Sequence, residues 1–128
     1  MPLSRRSFLA TSTAALVGSV AAGFPANDTV SVAVIGCGGR ARHLLKSLTT
    51  MPGARVVALC DVWDMALAET QKQVPAAATS KRWQDVLADK TVDAVLIATP
   101  DHWHVPLTVA ACAAGKDVYV EKPLTHHL

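Results

Sequence analysis

A glycine-rich segment early in this 128-residue chain is suited to holding phosphate groups. Gly36-Cys37-Gly38-Gly39-Arg40-Ala41 follows a β-branched apolar run and opens a helical pattern. Gly36 permits a tight turn, Gly38 allows close backbone approach to a ligand, and Ala41 is small enough for close helix packing. Free N–H groups and the helix dipole then attract an anion. This context favours dinucleotide binding over a plain glycine turn.

A carboxylate follows the second apolar run. Asp61 lies about twenty residues after the glycine segment, where a dinucleotide-binding motif places the acidic residue that accepts hydrogen bonds from the adenosine ribose. Asp61 would repel a 2′-phosphate and so favours NAD over NADP, although Arg40 or Arg42 could complicate that preference. The alternative is a turn or capping role, because Asp61 and Asp64 both precede a helix.

Two later loops carry the remaining candidates for chemistry, Thr99-Pro100-Asp101-His102-Trp103-His104 and Glu121-Lys122-Pro123. Lys122 can hydrogen-bond a substrate hydroxyl or carbonyl and is a candidate general base. His104 is a candidate for orienting the cofactor or moving a proton. His102 and His104, with His126 and His127 nearby, resemble a metal pair. No Cys or carboxylate set at ligand spacing accompanies them, so we expect no metal.

The stretches between these segments predict an α/β fold. Apolar runs predict strands at 30–35, 55–60, 76–79, 93–98 and 118–120, and amphipathic stretches predict helices at 39–50, 64–73, 81–88 and 105–114. Ser80 is the expected N-cap of the third helix. Such alternation is typical of a doubly wound parallel sheet of the Rossmann type. In such sheets ligands bind outside the carboxyl ends of the strands, where all the candidate residues fall.

The composition indicates a globular domain with no nucleic-acid partner. Hydrophobic residues make up 51% of the chain and charged residues 17%, with a formal net charge of +2. Arg5 and Arg6 carry that surplus, so the remainder of the chain has as many basic as acidic residues. The three cysteines, Cys37, Cys60 and Cys112, are interpreted as small buried hydrophobic residues.

The N-terminal segment predicts export. Ser4-Arg5-Arg6-Ser7-Phe8-Leu9 is a twin-arginine pattern, and the apolar run from Phe8 to Ala22 is shorter and more hydroxyl-rich than a bilayer span. We therefore expect a twin-arginine signal peptide and short linker at 1–26, followed by a binding domain at 27–128. We also expect no stable membrane anchor and a periplasmic or extracellular location.

Two stretches give a family resemblance that covers Val30 to Leu128. The first stretch runs from Val92 to Pro100, and the second runs from Ala114 to Pro123 and ends in Glu-Lys-Pro. Both resemble the Gfo/Idh/MocA family, named for glucose–fructose oxidoreductase and inositol dehydrogenase. The resemblance implies an NAD cofactor, with Lys122 at the substrate and a cis peptide before Pro123. Asp101 departs from the family, in which many members have Asn. The residues expected at the cofactor are Gly36, Gly38, Gly39, Arg40, Ala41, Asp61, Thr99, Pro100 and Glu121, with His104 on the nicotinamide side.

The resemblance implies an NAD-dependent oxidoreductase that acts on a hydroxyl of a sugar, cyclitol or glycoside. Relatives continue into a second domain, which supplies further proton-transfer residues and the usual oligomer contacts. We therefore expect a truncated chain that binds cofactor but is inactive alone, and that forms a homo-oligomer only with that domain. An NAD-dependent glycosidase of the same superfamily and a non-catalytic dinucleotide-binding fragment remain alternatives.

Overall fold

Short β-branched and aliphatic runs alternate with helices along the part of the chain that the structure describes. The structure, a computed structural model, describes residues 29–125. Its strands are β1 Val30–Ile35, β2 Ala54–Cys60, β3 Ala78–Ser80, β4 Ala94–Ile97 and β5 Asp117–Val120. Its helices are α1 Gly39–Leu48, α2 Asp64–Gln71, α3 Trp83–Ala88 and α4 His104–Ala113, and a 3-10 turn at Asp101–Trp103 leads into α4.

The five strands form one parallel sheet in the order β3-β2-β1-β4-β5. Their last residues are in register across the whole sheet. Ile35 pairs with Cys60 on one side and Ile97 on the other, Cys60 pairs with Ser80, and Ile97 pairs with Val120. The chain therefore leaves every strand at the same edge, and the doubly wound fold predicted from the sequence is confirmed.

Helices cover both faces of this sheet, because side chains along a strand alternate between faces. From β1, Val32 and Val34 pack with Leu45 of α1 and Leu67 of α2. Ala33 and Ile35 point to the opposite face and pack with residues of α3 and α4, among them Val86, Leu107 and Ala111. A strand buried on both faces is expected to be mostly apolar, and Ser31 is the one polar residue of β1.

The start of α3 differs from the prediction. Ser80 was expected to cap a helix beginning at residue 81, but α3 begins at Trp83 and Arg82 occupies the N-cap position. The Ser80 hydroxyl instead accepts a hydrogen bond from the backbone N–H of Arg82 at 3.0 Å. This local turn competes with the helix and delays its first residue. The third strand is also displaced to Ala78–Ser80, because Ala77 donates its N–H to Val74 in the preceding turn.

The cysteine prediction is correct for two residues and wrong for the third. Cys37 and Cys60 are buried under the sheet edge, whereas Cys112 is exposed on α4. Leu107 and Ala111 lie on the side of α4 that packs against the sheet. Cys112, the next residue, therefore points away from the sheet.

The predicted signal segment at 1–26 lies outside the described residues. Between residues 29 and 125, no helix has both the length and the apolar character needed to cross a bilayer.

Candidate functional site

Gly36 makes the turn by which the chain leaves β1. Its φ is +90°, and a Cβ at this position would lie 2.6 Å from the backbone nitrogen of Thr99. Its N–H donates to the carbonyl of Cys60 at 2.8 Å. Only glycine satisfies both the backbone angle and the close approach of the loop after β4. Gly36 thus joins the exits of β1, β2 and β4.

The next residues form an open N-terminus of α1. Apart from adjacent residues and the backbone of α1 itself, no atom lies within 4 Å of a Cβ built on Gly38 or Gly39, so the backbone there is accessible from outside. The first N–H groups of a helix have no partner within the helix. Gly38 is the N-cap and provides no side-chain cap. The structure therefore places unblocked backbone donors, followed by Arg40 and the buried Ala41, where a phosphate group would bind.

Asp61 lies at the exit of β2, beside the glycine-rich turn. Its Oδ2 accepts the N–H of Cys37 at 2.7 Å, and its Oδ1 accepts the N–H of Trp63 at 2.9 Å. The turn role considered for Asp61 is thus present. Each carboxylate oxygen accepts more than one hydrogen bond, so this turn leaves capacity for the hydroxyls of a ribose. Burial, and secondarily the Asp61 charge, raise the pKa of the Cys37 thiol to about 12.

The tryptophan cleft, as we name the hollow between the exits of β1, β2 and β4, contains all three tryptophans of the chain. Its volume is about 540 Å³. Trp103 lies in one of the candidate loops identified from the sequence, whereas Trp63 and Trp83 were not assigned to the site. Flat aromatic surfaces of this kind suit stacking against a planar base. The cleft is lined by Gly36, Gly38, Asp61, Trp63, Lys81, Arg82, Trp83, Thr99, Pro100 and Trp103, among others.

A second hollow, the lysine cleft, lies beside it at the exits of β4 and β5. Its volume is about 510 Å³. Within residues 29–125 no hydrogen bond or ion pair engages the Lys122 amine, so this group is available to a ligand. The residues lining the cleft are Arg40, Ala98, Thr99, Asp101, His104, Glu121, Lys122 and Pro123.

His104 lies at the base of the lysine cleft and is 2% exposed. Its Nδ1 is 2.7 Å from the carbonyl oxygen of Pro123, and its Nε2 is 2.9 Å from that of Thr99. The Lys122–Pro123 peptide bond is cis, in agreement with the family resemblance. The structure thus brings His104 to the predicted loops, with both ring nitrogens in contact with the backbone.

Glu121 faces the glycine-rich turn at the start of α1. Its Oε1 accepts a hydrogen bond from Arg40 Nη2 at 2.9 Å and another from the Tyr119 hydroxyl at 3.1 Å. The hydrogen bond from Arg40 holds the pKa of Glu121 below its usual range. The pair involves residues 81 positions apart in the sequence and was not predicted.

The residues present fit a dinucleotide. Thr99 lines both clefts, and its hydroxyl oxygen is buried without a hydrogen-bond partner among the described residues. A buried polar atom without a partner is costly, so a ligand that reaches it is stabilised. Hydrogen-bond donors and acceptors therefore extend from the tryptophan cleft to the lysine cleft. They are supplied by the open α1 N-terminus, Asp61 and the Thr99 hydroxyl.

The histidines do not form a metal centre within the described part of the chain. Between residues 29 and 125, no group of three or more His, Cys, Asp or Glu side chains is placed so that it could hold a metal ion. His102 lies near Asp101, with 3.9 Å between Nδ1 and Oδ1, and His104 contacts two carbonyls instead. His126 and His127 lie outside the described residues.

A parallel sheet in this strand order, with a glycine turn after β1 and a carboxylate after β2, defines a dinucleotide-binding Rossmann domain. The chain belongs to the Gfo/Idh/MocA oxidoreductase family, because residues 30–128 match the family's NAD-binding Rossmann fold. Its cofactor is therefore NAD, as predicted.

Individual relatives agree with this assignment. A "Glycosyl hydrolase family 109 protein" of Stenotrophomonas maltophilia is 35% identical over 133 residues, covering 93% of this chain and 29% of the relative. Myo-inositol dehydrogenase from Lactobacillus casei, solved with NAD(H) and myo-inositol, is 29% identical with a TM-score of 0.72, covering 76% of this chain and 29% of that one.

A third relative binds the phosphorylated cofactor. A variant of KijD10, a 3-ketoreductase from Actinomadura kijaniata solved with TDP-benzene and NADP, is 28% identical with a TM-score of 0.70, covering 76% of this chain and 31% of that one. The chain spans about a quarter to a third of the length of the curated relatives it matches.

Proposed function

We propose that this chain is the NAD(H)-binding part of an exported oxidoreductase that oxidises a hydroxyl of a sugar, cyclitol or glycoside. The observation that carries the proposal is the shared sheet edge, where the glycine turn, Asp61, the unpartnered Thr99 hydroxyl and the Lys122 amine meet. The myo-inositol bound to the Lactobacillus casei relative supports a polyhydroxylated substrate.

The two clefts have different roles in this proposal. The tryptophan cleft holds the adenosine end, with Asp61 accepting hydrogen bonds from its ribose, while the α1 N-terminus binds the pyrophosphate. The lysine cleft holds the nicotinamide end, which supplies a hydride acceptor when bound. There Lys122 donates a hydrogen bond to the hydroxyl or carbonyl oxygen of the substrate and so orients it toward the hydride acceptor.

Binding is tested by titrating the chain with NADH and, separately, with NADPH. The tryptophans line one cleft, so excitation of tryptophan should produce energy transfer to bound NADH. Saturable binding that is tighter for NADH than for NADPH supports the proposal. No binding of either dinucleotide to a chain that circular dichroism shows to be folded contradicts it.

A second candidate is an NAD-dependent glycosidase, and the glycosyl hydrolase relatives favour it. Such an enzyme must recover its cofactor after each turnover, so NAD should remain bound through purification. Release of the phenol from an aryl glycoside without net NADH formation would favour the glycosidase. Net NADH formation with a free polyol would favour the dehydrogenase.

Export through the twin-arginine route is the remaining part of the proposal, and Arg5 and Arg6 support it. Residues 1–26 fused to a reporter protein should direct it out of the cytoplasm. Replacing both arginines by lysine retains the charge and should abolish export. Equal export of both fusions would contradict the assignment.

A further inference from the structure

The His104 ring bridges the two loops that form the lysine cleft. It is the first residue of α4, and its ring extends between the loop after β4 and the loop after β5. The two contacts are Nδ1 to the Pro123 carbonyl oxygen at 2.7 Å and Nε2 to the Thr99 carbonyl oxygen at 2.9 Å. One buried side chain therefore holds the backbone of both loops.

Both partners of the ring are acceptors. A neutral imidazole carries one N–H donor and bonds one carbonyl at a time, whereas the doubly protonated ring donates to both. In either form, a nitrogen held against a carbonyl cannot also receive a proton from a substrate. With the ring only 2% exposed, the geometry favours a holding role for His104 over proton transfer.

The held residues carry the functional groups of the cleft. Thr99, held through its carbonyl, carries the buried hydroxyl that has no partner among residues 29–125. Pro123, held through its carbonyl, directly follows Lys122. The position of the ring thus sets where the Thr99 hydroxyl and the Lys122 amine lie relative to each other.

We propose that His104 is a positioning residue, which clamps the Thr99 and Lys122 loops together and so shapes the subsite for the nicotinamide end of the dinucleotide. The inference rests on the proposed function, because it takes the lysine cleft as the nicotinamide side. It predicts that loss of the clamp weakens interactions with nicotinamide and leaves interactions with adenosine and pyrophosphate unchanged.

The test compares NADH with ADP-ribose, which has the same adenosine and phosphates but lacks the nicotinamide. Dissociation constants of both ligands are measured for the parent chain, His104→Phe, His104→Gln and the control His102→Gln. Phenylalanine fills the space without a donor, while glutamine retains an N–H donor. The control removes an exposed imidazole two residues away that contacts neither carbonyl.

In His104→Phe the dissociation constant for NADH should rise about tenfold and that for ADP-ribose less than twofold, since one or two hydrogen bonds are lost. His104→Gln should recover part of the NADH affinity, and His102→Gln should match the parent for both ligands. Nuclear magnetic resonance of the parent should show a slowly exchanging ring N–H proton on His104 and none on His102.

Equal NADH affinity in the parent and His104→Phe would overturn the inference while the proposed function stands. A parallel loss of both ligands would also overturn it, because a general packing role explains such a result. If His104→Phe does not fold, the comparison of His104→Gln with the parent decides in the same way. A folded parent that binds neither ligand would overturn the proposed function and the inference together.

Discussion

Arg40 donates a hydrogen bond from Nη2 to Glu121 Oε1 over 2.9 Å, and this ion pair joins the first turn of α1 to the loop after β5. The Glu121 side chain is 11% exposed, whereas that of Arg40 is 52% exposed. The guanidinium therefore remains accessible while it closes one side of the lysine cleft.

Replacing Arg40 by glutamine should raise the pKa of Glu121 toward its ordinary value of 4.5, because the shorter, uncharged side chain no longer supplies the charged hydrogen bond that lowers it. A carboxyl with a lowered pKa in the folded state stabilises the fold at neutral pH, and this contribution disappears as the pH falls from 4.5 through the folded-state pKa. Carbon-13 resonance titration of the Glu121 carboxyl measures the shift directly.

A matched control is available in the exposed pair of Lys72 and Glu69, with a separation of 2.6 Å. Lys72→Gln should raise the pKa of Glu69 and leave Glu121 unchanged, since Lys72 is the main cause of the lowered pKa of Glu69. Identical titrations of Glu121 in the parent and Arg40→Gln would show that the ion pair is not maintained in solution.

Substitution of Gly36 by alanine should destabilise the fold. The added Cβ would meet the backbone of Ala98 and Thr99 at 2.6–2.8 Å, and φ of +90° is strained for alanine. Backbone strain of this kind costs about 1–3 kcal/mol, and the clash adds to it. Urea unfolding followed by circular dichroism gives the free energy of unfolding.

Gly39→Ala is the control for this substitution, because its Cβ would meet no atom of a neighbouring element within 4 Å and alanine favours the helix. Its free energy of unfolding should equal or slightly exceed that of the parent. Equal stability of Gly36→Ala and Gly39→Ala would mean that the turn rearranges without cost.

The sheet and the loops of the site follow from local sequence pattern, because buried parallel strands must be apolar and glycine must occupy the turn at Gly36. The start of α3 does not follow from local pattern, because the hydrogen bond from the Arg82 N–H to the Ser80 hydroxyl outweighs helix propensity there. Neither the convergence of Trp63 and Trp83 on one cleft nor the Arg40–Glu121 pair could be predicted. Both depend on strand order and on side-chain placement, which no local pattern encodes.

Thiol reagents should modify Cys112 and leave Cys37 and Cys60 intact in the folded chain. Cys112 is exposed, whereas the other two are buried. Burial raises the pKa of Cys37 to about 12 and that of Cys60 to about 11, so almost none of the reactive thiolate forms at neutral pH. A colorimetric count should give one fast thiol in buffer and three in denaturant. Fast reaction of all three in buffer would contradict the burial.

The same thiols should make the fold less stable in alkali. A thiol in the unfolded chain ionises near 9.0, but Cys37 in the folded chain ionises only near 12, so unfolding releases protons above pH 9. The free energy of unfolding should therefore decrease as the pH rises from 9. This decrease should be smaller in Cys37→Ala than in Cys112→Ala, measured by urea unfolding between pH 8 and 10.

Asp61→Asn tests whether Asp61 of the tryptophan cleft accepts hydrogen bonds from the adenosine ribose, as proposed above. The amide oxygen can keep one of the two bonds to the backbone of Cys37 and Trp63, so the turn should persist. Hydrogen bonds to a charged acceptor contribute about 1.5–3 kcal/mol, so the dissociation constant for NADH should rise roughly tenfold to a hundredfold. NADPH should bind better than to the parent, because the carboxylate that repels a 2′-phosphate is gone while Lys81 and Arg82 still line the cleft.

Asp64→Asn is the matched control for this last substitution, since Asp64 is exposed and pairs with Lys81 outside the turn. It should leave NADH affinity unchanged, and any gain in NADPH affinity there would identify Lys81 as the cation that contacts the 2′-phosphate. Unchanged NADH affinity in Asp61→Asn, with the fold intact, would assign Asp61 to the turn alone. The discrimination between the two cofactors would then have to come from Lys81, Arg82 or Arg42. The guanidinium of Arg42 donates a hydrogen bond to the Cys37 carbonyl at the base of the same loop.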